Sequence, residues 1–200
     1  ACTARPRRPL STCGNDPPPA GDGGIIAAME ILVWPPGHLL CKGKRLRCAL
    51  GRDGVRADKR EGDGATPAGS FPLRRVMYRV DHLAAPATRL SVTALEPDMG
   101  WCDDPEDPSY NRPVRLPHAG RHEALWRQDG LYDVIVELGY NDDPVTPGRG
   151  SAIFLHCAAP GYAPTQGCVA LAREDLLDVL KDCDGATRLS VSLAAPPSVR

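Results

Sequence analysis

The sequence predicts a mainly β, α+β domain, and three observations carry that prediction. Apolar and polar residues alternate with a period of two through most of the chain. Gly, Pro, Asn and Asp interrupt those runs every ten to fifteen positions, as turns do between strands. Helical spacing is clear in one stretch, Arg173–Cys183, where Leu176, Leu177 and Leu180 recur behind an acidic first turn and Gly185 follows as a stop.

Taken in order, residues 1–28 are rich in Pro, Gly and Arg and read as a flexible N-terminal tail. Residues 29–195 form the domain and 196–200 a short C-terminal tail. Glu30–Trp34 is a strand ended by Pro35-Pro36-Gly37. Arg45–Leu50 alternates, with Leu46, Cys48 and Leu50 inward and Arg45 and Arg47 outward. Ser70–Val80 and Leu90–Leu95 are strands. Pro97–Gly120 reads as a long loop, of a length that often carries function, and Glu123–Asp129 as a short helix. Leu131–Leu138 is a strand with Tyr132, Val134, Val136 and Leu138 on one side. Ser151–Cys157 and Arg188–Leu193 complete the set.

Composition narrows the function classes. The 24 basic and 25 acidic residues of this 200-residue chain leave a net charge of −1, without the basic surplus of a general nucleic-acid binder. No apolar run reaches the length of a membrane helix. The eight cysteines, at 2, 13, 41, 48, 102, 157, 168 and 183, include no CxxC pair and form no disulfide framework. Cys48 and Cys157 share faces with apolar neighbours and read as buried thiols, whereas Cys102 reads as an exposed loop residue. His118 and His122 have a His-x3-His spacing, but Pro117 and Gly120 disfavour the helix a metal pair needs, so they read as solvated histidines. The Gly62–Gly69 segment lacks the Gly-Lys-[Ser/Thr] ending of a phosphate loop. No metal and no cofactor is expected.

The pairing that carries chemistry is His156 with Cys168. In a strand ending at Cys157, Ala152, Phe154 and His156 share one face and Ile153, Leu155 and Cys157 the other. The chain then loops through Ala158–Gln166 and returns at Thr165-Gln166-Gly167-Cys168, twelve residues beyond the histidine. An imidazole beside a thiol can take its proton and free a thiolate to attack a carbonyl, with backbone N–H groups at Gly167 and Cys168 receiving the oxyanion. Tyr140-Asn141 after a strong strand reads equally as a turn or as a cleft wall. Tyr110, Asn111 and Arg112 of the long loop are candidates to bind a substrate carboxylate or cap the cleft, Arg112 by its bidentate geometry.

Ile153-Phe154-Leu155-His156 followed by Thr165-Gln166-Gly167-Cys168-Val169 resembles the signature of YkuD-type L,D-transpeptidases, a histidine at a strand end and then [Ser/Thr]-x-Gly-Cys-[Ile/Val]. Upstream, Thr66-Pro67-Ala68-Gly69-Ser70-Phe71 is similar to that family's TPxGxF segment, about ninety residues before the histidine. The resemblance spans Met29–Leu193. It implies a sandwich-like sheet with a helix following the cysteine, and an enzyme that cross-links peptidoglycan stem peptides through a thioester. It makes Cys168 the nucleophile, His156 the general base and the Gly167 and Cys168 amides the oxyanion hole. Thr165 would support the turn, with Thr165 and Gln166 beside the substrate, while Gly69 and Phe71 would be structural. Carbapenem-type inhibitors and donor and acceptor stem peptides are the implied partners. The cell envelope or periplasm is the implied location, although the first residues show no signal-peptide apolar core.

The chain departs from the family pattern at Cys157 (commonly Gly), Gln166 (commonly His) and Ala170 (commonly Arg or Asn). The Ser/Thr-x-Gly-Cys-x-Ala form resembles a branch associated with 1,3-type links between diaminopimelate residues. An L,D-carboxypeptidase with the same thioester chemistry, a wall-binding module without activity, and a thiol-rich metal or redox protein are the alternative functions.

Overall fold

The computed structural model describes residues 28–196. The expected tails, with Cys2 and Cys13, lie outside the described residues apart from the positions at 28 and 196 themselves. In chain order the elements are β1 (Glu30–Trp34), β2 (His38–Cys41), β3 (Lys44–Arg47), β4 (Val55–Arg56), β5 (Thr66–Pro67), β6 (Gly69–Tyr78), β7 (Ser91–Ala94), β8 (Met99–Cys102), β9 (Pro113–Arg115), β10 (His122–Ala124), β11 (Val134–Leu138), β12 (Phe154–Cys157), β13 (Val169–Leu171), α1 (Arg173–Leu180) and β14 (Arg188–Val191).

The fold is mainly β, a YkuD-like sandwich, and the longest strand explains how it closes. The first residues of β6 pair antiparallel with β14, with Phe71 opposite Leu189. Its later residues pair with β11, with Met77 opposite Ile135, and with β7. One strand therefore runs through both halves of a sheet ordered β13-β12-β11-β6-β14-β1-β2-β3, with β7 attached at β6. The halves face each other across a core that includes Ile31, Val33, Leu39, Val134, Val136, Leu155, Leu189 and the α1 residues Leu176 and Leu180. The two-residue strands β4 and β5 pair separately.

A second apolar cluster lies on the opposite face of β11 and β12. It joins Met77, Ile135 and Phe154 to Trp101, Leu125, Tyr132 and Cys168, and a small sheet, β10-β8-β9, supplies its outer side. Alternation places β12 between the two clusters: Ile153, Leu155 and Cys157 enter the main core and Phe154 enters the second. Cys48 and Cys157 are buried, as their periodicity predicts.

Five local expectations are corrected. Pro97–Gly120 contains β8 and β9, strands of four and three residues, too short to display a period of their own. Glu123 belongs to β10 opposite Trp101, so Glu123–Asp129 is not a helix; pairing to β8 satisfies its backbone instead. Tyr132 does not share the face of Val134, because the Asp133 N–H donates to the Gly130 carbonyl and alternation starts only after that turn. Cys102 is fully buried, where its acidic sequence neighbours suggested exposure. The helix ends at Leu180 rather than Cys183, whose thiol donates to the Val179 carbonyl at 3.3 Å.

Candidate active site

Strand pairing brings the predicted pair onto one face. Strands β12 and β13 run parallel, with Leu155 opposite Val169 and His156 opposite Ala170. Continuing the register back by one residue sets Cys168 opposite Phe154 and diagonal to His156. The Phe154 N–H donates to the Cys168 sulfur at 3.3 Å, and the thiol donates to the Ala152 carbonyl at 3.2 Å. Ala152 has φ +51°, a left-handed conformation that costs a non-glycine residue about 1 kcal/mol. Its own N–H is held by the Asn111 side-chain oxygen at 3.0 Å.

The His156 Nδ1 atom lies 2.9 Å from the Cys157 carbonyl oxygen. A carbonyl only accepts, so Nδ1 carries the ring proton and Nε2 keeps the lone pair a general base needs. Tyr132 stands edge-on to the imidazole, with ring centroids 5.3 Å apart, and Trp101 and Tyr132 pack edge-on against Phe154. Burial lowers the His156 pKa to about 4, against the pull of the Cys157 and Leu131 carbonyls. Burial also pushes the Cys168 thiol up to about 12, with Glu123 adding to the rise and the Phe154 N–H and Lys59 opposing it. Burial therefore favours the neutral forms of both groups, thiol and imidazole, over thiolate and imidazolium.

The turn before the cysteine is built by the two threonines of the two motifs. Thr165 accepts from the Gly167 N–H at 3.1 Å and donates to the Cys168 carbonyl at 2.7 Å. Thr66 accepts from the Gly51 N–H at 2.8 Å and donates to the same Cys168 carbonyl at 3.4 Å. Gly167 has φ +137°, and a Cβ there would lie 2.8 Å from the Ala65 carbonyl oxygen, so only glycine fits between the motifs. In this state the Gly167 N–H is spent on the turn, and no partner is found for the Cys168 N–H among the described residues.

Cys168 and His156 open onto a cavity of about 730 Å³. Thr165 and Gln166 line it, together with residues that sequence reasoning did not assign to the site: Lys59, Glu61, Asp103, Arg121, Glu123, Arg127 and Tyr132. Cations and carboxylates thus both line its walls. Glu123 accepts from the Tyr132 hydroxyl at 2.6 Å, and burial raises its carboxyl pKa even so. Lys59 is almost fully buried, and its ammonium donates to Asp63 at 2.6 Å. Burial works to raise the Asp63 pKa, but Lys59 and the Arg60 and Ala65 N–H groups outweigh it and hold the carboxyl low. No local pattern marks these wall residues, since they come from three separate stretches of chain, 59–61, 103 and 121–132.

Residues 26–191 match the sequence model of the YkuD family, the L,D-transpeptidase catalytic domain. The chain belongs to that family. Among solved structures it is similar to L,D-transpeptidase 1 of Mycobacterium tuberculosis, at 12% identity and a TM-score of 0.34, over 82% of this chain and 61% of that one. It is also similar to L,D-transpeptidase 3 of the same organism, solved with a faropenem-derived adduct, at 14% identity and a TM-score of 0.40, over 82% of this chain and 60% of that one. The chain thus spans about three fifths of the length of those structures. No curated protein matches the chain.

In this L,D-transpeptidase domain, five residues expected at the cleft lie behind its wall. Asn111 is buried at φ +55°, with its oxygen accepting from Trp101 Nε1 and the Ala152 N–H, and its amide donating to the Tyr140 and Asn141 carbonyls. Tyr110 donates to Glu61 at 2.5 Å and accepts from the Gly150 N–H, so its proton is committed to the protein's own carboxylate. Arg112 donates to the Asp142 carbonyl, Tyr140 to the Arg149 carbonyl, and Asn141 clamps Thr146 and Gly150. These side chains tie loops together and do not line the cavity. Their sequence signal, Asn beside Tyr in a Pro- and Gly-rich stretch, is the same for a loop clamp as for a ligand contact.

Proposed function

We propose that this chain is a cysteine L,D-transpeptidase that joins peptidoglycan stem peptides through a thioester on Cys168. The observation that carries the reading is the placement of Cys168 and His156 on one face of the paired strands β12 and β13, opening on one cavity, in a chain of this family. His156 Nε2 takes the thiol proton as the sulfur attacks the donor carbonyl, and the Cys168 N–H would receive the oxyanion. Gly167 adds its own N–H once Thr165 releases it. Collapse breaks the C–N bond to the terminal D-residue, and the proton passes from His156 to the departing amine. An acceptor amine then attacks the thioester, His156 takes its proton, and the C–S bond breaks to return the thiol.

The cavity's mixed lining supports a substrate that carries both carboxylates and amines. Arg121, Arg127 and Lys59 suit the former, and Glu61, Asp103 and Glu123 the latter. Stem peptides containing diaminopimelate have that character. The 1,3 type of link rests on the resemblance of Thr165-Gln166-Gly167-Cys168-Val169-Ala170 to the Ser/Thr-x-Gly-Cys-x-Ala branch. The domain would act in the cell envelope, where this substrate lies; no described helix is long and apolar enough to cross a membrane.

The test is mass spectrometry of products from purified disaccharide-tetrapeptide, with the intact chain beside Cys168→Ala. Cross-linked dimers from the intact chain alone, with diaminopimelate joined to diaminopimelate on fragmentation, are the expected result. Trimmed monomers without dimers would replace transfer by hydrolysis, and identical products from both proteins would remove Cys168 from the chemistry.

A further inference from the structure

Outside the cavity, the fold gathers a second set of reactive side chains. Cys102 closes β8, and Asp107 and His118 come from the chain between β8 and β10. One ligand atom from each of the three lies within 4.8 Å of the others. Contrary to the solvated reading of its sequence context, His118 is largely buried, and its Nε2 has no hydrogen-bond partner. Asp107 Oδ2 lies 3.2 Å from that nitrogen, off the direction of a hydrogen bond. Two ligands on one tetrahedral zinc, at about 2.0–2.2 Å each, stand about 3.3 Å apart, so this separation suits atoms aimed at a common ion. The other Asp107 oxygen is already fixed by the Ser109 N–H at 2.7 Å.

Gly120 keeps the place open. A Cβ at this residue would come within 2.6 Å of Asp107 Oδ2 and 3.2 Å of His118 Nε2. The donor set decides the class of ion. Thiolate with imidazole selects a borderline or soft transition metal over magnesium or calcium, and three protein ligands leave a fourth position for water.

We propose that Cys102, Asp107 and His118 form a zinc site that fastens the acidic loop to the end of β8. That loop supplies Asp103, Pro105 and Arg121 to one wall of the cavity, so the ion would hold the wall without touching the reacting atoms. Binding converts the Cys102 thiol to a zinc thiolate and releases its proton to solvent. The site makes no use of Cys168 and stands independently of the proposed transfer reaction.

The experiment measures zinc content of the full chain after loading and removal of excess metal, with thermal melting of the loaded and stripped forms. Expected are about one zinc per chain, a higher melting temperature when loaded, and thiolate-to-metal absorption when cobalt replaces zinc. Cys102→Ser should lose the metal and the absorption. Gly120→Ala keeps all three ligands but displaces the Asp107 carboxylate, and should weaken binding by about tenfold or more while the stripped protein still melts cooperatively. Cys168→Ala should keep the metal. A zinc-free intact chain, full zinc in Gly120→Ala and Cys102→Ser, or loss of zinc in Cys168→Ala would each overturn the proposal.

Discussion

The hydroxyl of Thr66 donates to the main-chain carbonyl of Cys168 at 3.4 Å, joining residues 102 positions apart. Thr66 is fully buried and also satisfies the Gly51 N–H. Thr66→Val keeps the shape and strands that N–H. It should lower stability by about 1–3 kcal/mol in chemical denaturation and slow acylation of Cys168, whereas Thr66→Ser should recover most of both.

Asn111 acts on the thiol at one remove, by holding Ala152, whose carbonyl receives the Cys168 proton. Asn111→Ala leaves the Trp101 and Ala152 N–H groups without their acceptor and releases two carbonyls. The expected outcome is a loss of about 2–4 kcal/mol in unfolding free energy. A variant that keeps its stability and changes only KM would return Asn111 to the substrate.

Gly167→Ala tests the meeting of the two motifs. Its methyl would lie 2.8 Å from the Ala65 oxygen at a φ of +137°, so the cysteine turn must move. A displacement of about 1 Å costs about a hundredfold in rate. Stopped-flow acylation by a carbapenem, the inhibitor class that the family resemblance implies, should show that loss with the protein still folded.

The pH dependence follows from burial. His156, held near 4, stays neutral well below the usual histidine range, so the acid limb of Cys168 acylation should fall far lower than an exposed imidazole would place it. Its folded pKa is below its unfolded one, so stability is full above about pH 6.5 and is lost as pH falls toward 4. The thiols run the other way: burial pushes Cys48, Cys168 and Cys183 up to about 12 and Cys157 to about 11. Unfolded thiols ionise near 9, so stability holds below that pH and declines as pH rises toward 12. Denaturation midpoints across the alkaline range should fall in the intact chain, and less steeply in Cys48→Ala.

The sequence by itself determined the strands that alternate over enough residues to be read. Glu30–Trp34 coincides with β1, and the faces of Ile153, Leu155 and Cys157 against Phe154 follow from a period of two. It also displayed the chemistry, because Thr-Gln-Gly-Cys and the preceding histidine are close enough in the chain to form a local pattern. Tertiary structure alone decided the rest. Strands β8, β9 and β10 hold three or four residues each and exist by pairing with one another, so no window of sequence contains their cause. Lys59, Glu123 and Tyr132 reach the cavity from separate segments, and Cys102 meets His118 only because β8 and the loop before β10 are packed together. Asn111 shows the reason most directly. An amide that binds a ligand and one that binds the protein's own backbone look alike in a sequence, and what separates them is which donors and acceptors the folded chain brings within 3 Å or so.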